Sequence, residues 1–144
     1  MTYYTATENK CVQMSIRKEA INWLEESKVD LRRAKSSLRN KDYSLCCFMS
    51  QQSVEKALKA FHISLRKVPS RTHDLTALYS SVNQTLKLSK DLIEALPELS
   101  QYYVTARYPN AGLGIPSRSF SFAQAKRAHI FAERIVKNIE KKIS

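Results

Sequence analysis

Glycine is almost missing from this chain of 144 residues, with two copies, and proline occurs four times. That scarcity excludes a sandwich or barrel of many short strands, which needs a turn former every few residues. The three cysteines, Cys11, Cys46 and Cys47, are odd in number and lack paired spacing, so a disulfide framework and a Cys-x-x-Cys zinc site are both excluded. Cys46 and Cys47 read as small buried hydrophobes inside a helical apolar run. No apolar run approaches the ~18 residues of a membrane span, and no signal peptide is visible. A cytoplasmic protein without metal or cofactor is expected.

What remains is rich in helix formers, which points to an all-α domain. Apolar residues make up 43%, enough for one core in a chain of this length. Lys and Arg total 24 against 13 Asp and Glu, a formal charge of +11. That excess favours an anionic partner such as nucleic acid, a nucleotide or an acidic protein.

Residues 1–14 carry no helical period and are expected to form a flexible arm, leaving 15–144 as a single domain. From Ser15 apolar residues recur every three or four positions: Ile16, Ala20, Trp23, Leu24, Leu31, Ala34 and Leu38. Asn40 closes this helix. A second pattern runs from Tyr43 to Leu65 and stops before Pro69, so the two long helices form an antiparallel hairpin. Ser70 or Thr72 is expected to cap a short helix over Leu75–Val82, with Asp74 in its first turn. Ser89 and Asp91 open another through Ala106, within which Pro97 marks a kink or a later start. Ser117 or Ser119 is expected to cap a long final helix, striped by Phe120, Ala128, Phe131, Ile135 and Ile139.

Three short motifs appear in order on these elements: QQSVEKALKA (Gln51–Ala60), THDL (Thr72–Leu75) and RYP (Arg107–Pro109). Together they resemble the HEPN family, the higher eukaryotes and prokaryotes nucleotide-binding domain, from about Trp23 to the end. The resemblance implies a five-helix up-and-down bundle: two long antiparallel helices, two short ones and a long closing one. It also implies a homodimer, and pairing with a minimal nucleotidyltransferase in a toxin–antitoxin system. Many members are metal-independent endoribonucleases, whose pattern is an arginine followed a few residues later by a histidine.

Cleaving RNA without metal needs a base near neutral pKa and a fixed cation for the phosphate. Arg107 supplies the cation, but YPNAGLGIPSRSF follows it with no histidine. Tyr108 can donate to phosphate and, with a pKa near ~10, is a poor base. Arg66 and His73 fit the family spacing, with six residues between them, yet they sit at the joint between the second and third helices. Gln52, Lys56 and Lys59 lie one to two turns apart and are expected to face a polar groove with Arg107; alternatively, Glu55 and Lys59 form an ordinary i,i+4 pair on a solvated face. Arg107 itself alternatively caps last-turn carbonyls.

His62 is expected at the surface, and His129 as a phosphate contact at acid pH. Arg32, Lys35 and Arg39 on the first helix, and Arg134, Lys137 and Lys141 on the last, form cationic stripes for phosphate or an acidic protein. Three readings follow. The first is a partner of a minimal nucleotidyltransferase that binds nucleotide or RNA phosphate near Arg107. The second is a metal-independent endoribonuclease with non-standard residues, and the third a dimeric scaffold that docks an acidic protein.

Overall fold

The computed structural model describes residues 5–112 and 114–143, and among them there is helix and no strand. Six helices follow one another: α1 (Ala6–Arg39), α2 (Tyr43–Ser64), α3 (Leu75–Ser80), α4 (Lys90–Thr105), α5 (Pro116–Ser119) and α6 (Phe122–Ile143). The sixth element beyond the expected five is α5, a single turn with Pro116 at its start.

Residues 1–4 of the expected arm lie outside the described residues, and from Ala6 onward it is corrected by α1, which starts there and not at Ser15. Thr5 Oγ1 accepts from the Glu8 amide and Glu8 accepts from the Thr5 amide, a reciprocal cap that starts a helix without an apolar stripe. Residues 6–19 stay exposed or half-buried, and burial begins at Ala20. The segment is helical because of its cap and propensity, which apolar periodicity does not report.

α1 and α2 form the expected hairpin. Asn40 is the C-cap of α1, and Asp42 N-caps α2 through the Leu45 amide. Between them Lys41 takes φ 61°, the left-handed region that a three-residue joint requires. The facing surfaces are small: Ala20, Ser27 and Ala34 on α1, with Ser50, Ser53, Ala57 and Ala60 on α2. Ser27 Oγ donates to the Ser53 carbonyl at 2.5 Å, so the backbones approach closely.

α2 is the central helix, packing on α1, α3, α4, α5 and α6. Almost every residue from Ser50 to Ile63 is buried, so its polar side chains must find partners inside the protein. Leu58, Leu78, Leu92, Leu96, Leu99, Ile135 and Ile139 form the core around it.

Asp74, not Ser70 or Thr72, caps α3: its side chain accepts from the Thr76 and Ala77 amides, while Thr72 Oγ1 accepts from the Asp74 amide. Likewise Ser121, not Ser117 or Ser119, accepts from the Gln124 amide at the start of α6. α4 begins at Lys90 and passes straight through Pro97; the carbonyl this proline leaves unpaired belongs to Ile93, on the exposed side. His62 is buried and its Nε2 lies 2.8 Å from the Leu78 carbonyl, correcting its surface placement and tying α2 to α3.

Cys46 and Cys47 are buried, as expected, with burial pushing their thiols up to about 11 and about 12; Cys11 is exposed on the first turns of α1. Among the described residues no helix is long and apolar enough to cross a membrane.

Candidate functional site

α2 carries the site along one face. Phe48, Gln52, Glu55 and Lys59 are spaced at i, i+4, i+7 and i+11, and so share a stripe. Glu55 is its centre. The carboxylate is 6% exposed as a residue, and it accepts from Gln51 Nε2 at 3.1 Å. Lys59 Nζ lies 3.2 Å from its other oxygen, and Lys59 is buried as well. The expected Glu55–Lys59 pair is therefore present, but it is interior and not part of a solvated face.

His73 reaches Glu55 from the loop before α3. Its Nδ1 is 2.9 Å from Glu55 Oε1, and Gln51 Nε2 also donates to the His73 carbonyl at 3.1 Å. A carboxylate only accepts, so Nδ1 carries the proton of this bond, and Nε2 is the ring nitrogen left outside it. The His73 side chain is 44% exposed, which leaves this ring open to solvent on one side.

Tyr103 joins the two halves of the site. The His73 ring stacks on it with centroids 3.7 Å apart and planes 12° from parallel. Phe48 lies 6.2 Å from Tyr103 at a tilt of 44°. The Arg107 guanidinium then sits 4.7 Å from the Phe48 centroid, 5.2 Å from Tyr103 and 5.0 Å from Tyr108. It donates to the Tyr108 hydroxyl at 3.2 Å. Arg107 is exposed, and among the described residues no carboxylate pairs with it. Its guanidinium thus rests on aromatic faces and caps no carbonyl.

The loop that follows turns sharply after α4. Asn110 takes φ 63° and its amide donates to the Gly114 carbonyl at 2.8 Å. A Cβ on Gly112 would come within 3.2 Å of Thr105 Cβ, and Gly114 has φ 102°. Both glycines are therefore spent on folding this loop back against the end of α4.

The expected residues divide. Arg107, Tyr108, His73, Gln52 and Lys59 belong to one cluster or its edge, Gln52 through its bond to Gln51 Oε1 at 2.7 Å. Lys56 does not: it turns to α1 and lies 2.6 Å from the buried Asp30 carboxylate. Arg66 does not either. It follows the end of α2, eleven residues past Glu55, about 16 Å along the axis at the usual rise.

Of the two cationic stripes, Arg134 is paired with Asp91 at 2.6 Å and Lys137 with Glu133 at 3.3 Å, so most of the α6 stripe is neutralised. The Arg134 pair holds Asp91 down at about 2. Arg32, Lys35 and Arg39 are exposed, and no ion pair is formed by them among the described residues. His129 is buried, and burial lowers its pKa, with the Glu133 charge opposing and Lys35 adding to the shift. It is therefore a poor acid-pH phosphate contact.

Phe48, Tyr103, Glu55 and Gln51 complete the site beyond the expected set. Phe48 and Tyr103 read in the sequence as core-facing apolar positions, and nothing local distinguishes a half-buried platform from core. Among the described residues no three His, Cys, Asp or Glu side chains gather as a metal site.

Comparison with known proteins adds the family. The HEPN domain model matches residues 20–142. TT1696 from Thermus thermophilus is a solved structure 34% identical to this chain, with a TM-score of 0.80 over 85% of this chain and 97% of its own. ST0689, an archaeal HEPN homologue, is 25% identical with a TM-score of 0.71, over 87% of this chain and 98% of its own. A HEPN domain protein from Thermotoga maritima, 24% identical with a TM-score of 0.54 over 85% and 91%, shares the fold. A comparison with curated proteins finds no match. With three motifs in register, the helical fold and a family match over most of its length, the chain belongs to the HEPN domain family.

Proposed function

We propose that this protein binds a nucleotide or RNA phosphate at Arg107, as the HEPN partner of a minimal nucleotidyltransferase in a toxin–antitoxin pair and as a homodimer. The observation that carries the binding is the exposed guanidinium within 4.7–5.2 Å of the Phe48, Tyr103 and Tyr108 ring centres without a carboxylate partner among the described residues. One N–H is donated to the Tyr108 hydroxyl, and the other N–H groups are available to phosphate oxygens. Tyr108, itself 48% exposed, offers a hydroxyl and a ring beside it. The partnership rests on the family resemblance, and the homodimer on that and on the exposed apolar side chains Phe122 and Ile130 of α6.

Fluorescence anisotropy with a labelled single-stranded RNA, and competition by ATP, tests the binding. Arg107→Ala is expected to weaken it about tenfold or more and to lower the salt slope by about one. Arg107→Lys keeps the charge but not the planar fork, and is expected to recover little. An Arg107→Ala protein that binds like the wild type refutes the reading. Co-purification with the co-expressed nucleotidyltransferase tests the pairing.

The Glu55–His73 bond favours a second reading, metal-independent cleavage. His73 Nε2 would take the 2′-OH proton, the 2′ oxygen would attack phosphorus, and the P–O5′ bond would break to a 2′,3′-cyclic phosphate. The proton would return to the leaving 5′ oxygen. The missing histidine after Arg107 would then be replaced from another element. RNA incubated in EDTA with wild type, His73→Ala and Arg107→Ala decides this: cleavage that survives either substitution, or is absent from the wild type, removes it.

A further inference from the structure

Away from the Arg107 site, the first turns of α1 meet the ends of α2 and α6 in a corner that the family match touches only in part. The HEPN match begins at residue 20, so the α1 turns carrying Gln13, Ile16 and Arg17 precede it. These residues wall one side of a cavity of about 410 Å³. Its floor is apolar, from Ala20, Phe61, Leu65 and Ile143, and that volume falls in the range of small-molecule sites.

Three cations from three separate segments ring this floor: Arg17 on α1, Arg66 after α2 and Lys142 on the last turn of α6. None of them is ion-paired among the described residues, although the protein pairs Lys28, Arg33, Lys56, Lys59 and Arg127 elsewhere. The carbonyl ends of α2 and α6 attract cations, and Arg17 Nη1 does donate to the Ile143 carbonyl at 3.3 Å. Such capping accounts for one N–H of Arg17. It does not account for an apolar hollow at the meeting point of three charges.

Arg66 sharpens the point. It adopts φ 60° at the position after the C-cap, where glycine is the unstrained choice. An arginine is held there against backbone preference, with its side chain on the cavity wall.

We propose that this corner is a binding site for a small amphipathic anion, with a phosphate or carboxylate head among Arg17, Arg66 and Lys142 and an alkyl body on Phe61, Leu65 and Ile143. The site is independent of Arg107 and of the proposed RNA or nucleotide.

Isothermal titration of the full chain with octyl phosphate, octanoate, octyl glucoside and inorganic phosphate tests it. One or both octyl anions should bind, at least about tenfold more tightly than octyl glucoside or inorganic phosphate, since head and tail are both required. Binding of the phosphate alone, or of the carboxylate alone, identifies the head. Arg66→Gly should raise the melting temperature by relieving the backbone while weakening the octyl anion about tenfold. Arg17→Gln should weaken it similarly, with circular dichroism unchanged. The proposal is overturned if neither anion exceeds octyl glucoside, or if both variants bind as the wild type does.

Discussion

Replacing Glu55 by Met should separate stability from function when it is combined with a second substitution. Glu55 is buried and holds three donors at once: Gln51, Lys59 and His73. Glu55→Met leaves the Lys59 ammonium, whose side chain is 10% exposed, buried without its anion. Breaking a buried ion pair from one side costs about 3–5 kcal/mol. Replacing both members by apolar groups of similar volume is often close to neutral. In Glu55→Met/Lys59→Met the remaining losses are the acceptors of Gln51 and His73. Gln51 still donates to the His73 carbonyl, and His73 is open enough to find water, so about 1 kcal/mol is expected. Urea unfolding of wild type, Glu55→Met and the double variant should thus show the second substitution restoring about 2–4 kcal/mol of the stability lost in the first. RNA cleavage should not follow the same course. The double variant regains stability but leaves His73 without the carboxylate that orients it beside Tyr103, so any cleavage stays lost. A double variant as unstable as Glu55→Met alone would refute the buried-pair argument; one that recovers both stability and cleavage would refute the role of Glu55 in holding His73.

Other substitutions probe the frame. Lys41→Gly, at φ 61°, should raise stability by about 0.5–1 kcal/mol in urea unfolding, because relief of the left-handed strain exceeds the added chain entropy. Asp30 is 1% exposed and meets Arg33 at 2.8 Å and Lys56 at 2.6 Å, the latter an ion pair without hydrogen-bond alignment. Asp30→Ala should cost about 2 kcal/mol by the same assay, less than a fully buried pair because both cations can turn to water. His129 has its pKa lowered by burial, so the unfolded chain takes up the proton first as pH falls. Its contribution is full above the ordinary histidine range and is lost below about pH 6.5. The melting temperature should therefore drop between pH 7 and 5 by more in the wild type than in His129→Gln, and equal drops would refute the assignment.

The helices were legible in the sequence where burial imposes a period and where punctuation is strong. Asn40 and Asp91 each stand at or beside a real boundary, and Pro69 lies in the loop between α2 and α3. The start of α1 was not legible, because Ala6–Glu19 has no buried side for a period to report. Caps fell two to four residues from expectation at α3 and α6, where serine, threonine and aspartate compete for the same role. Arg107 could be singled out by its company of proline and glycine. Its link to His73 could not, since it runs through Tyr103 and Phe48, which in a sequence are indistinguishable from core. The inward turn of Glu55 and Lys59 was hidden for a related reason: i,i+4 charge pairs usually mark solvent, and only the enclosure of α2 on several sides makes this one interior.

That enclosure also explains why the site lies where it does. A helix buried on nearly all sides can keep polar groups only where they satisfy one another, and α2 does so with Gln51, Glu55 and Lys59. Satisfaction inside fixes the outward partners: Glu55 sets His73, His73 sets the face of Tyr103, and Tyr103 with Phe48 carries Arg107. A surface arginine on a lysine-like tether would surrender side-chain entropy on meeting an anion. Arg107 has surrendered much of it already against three rings, so an anion at its N–H edge meets a cation already in position.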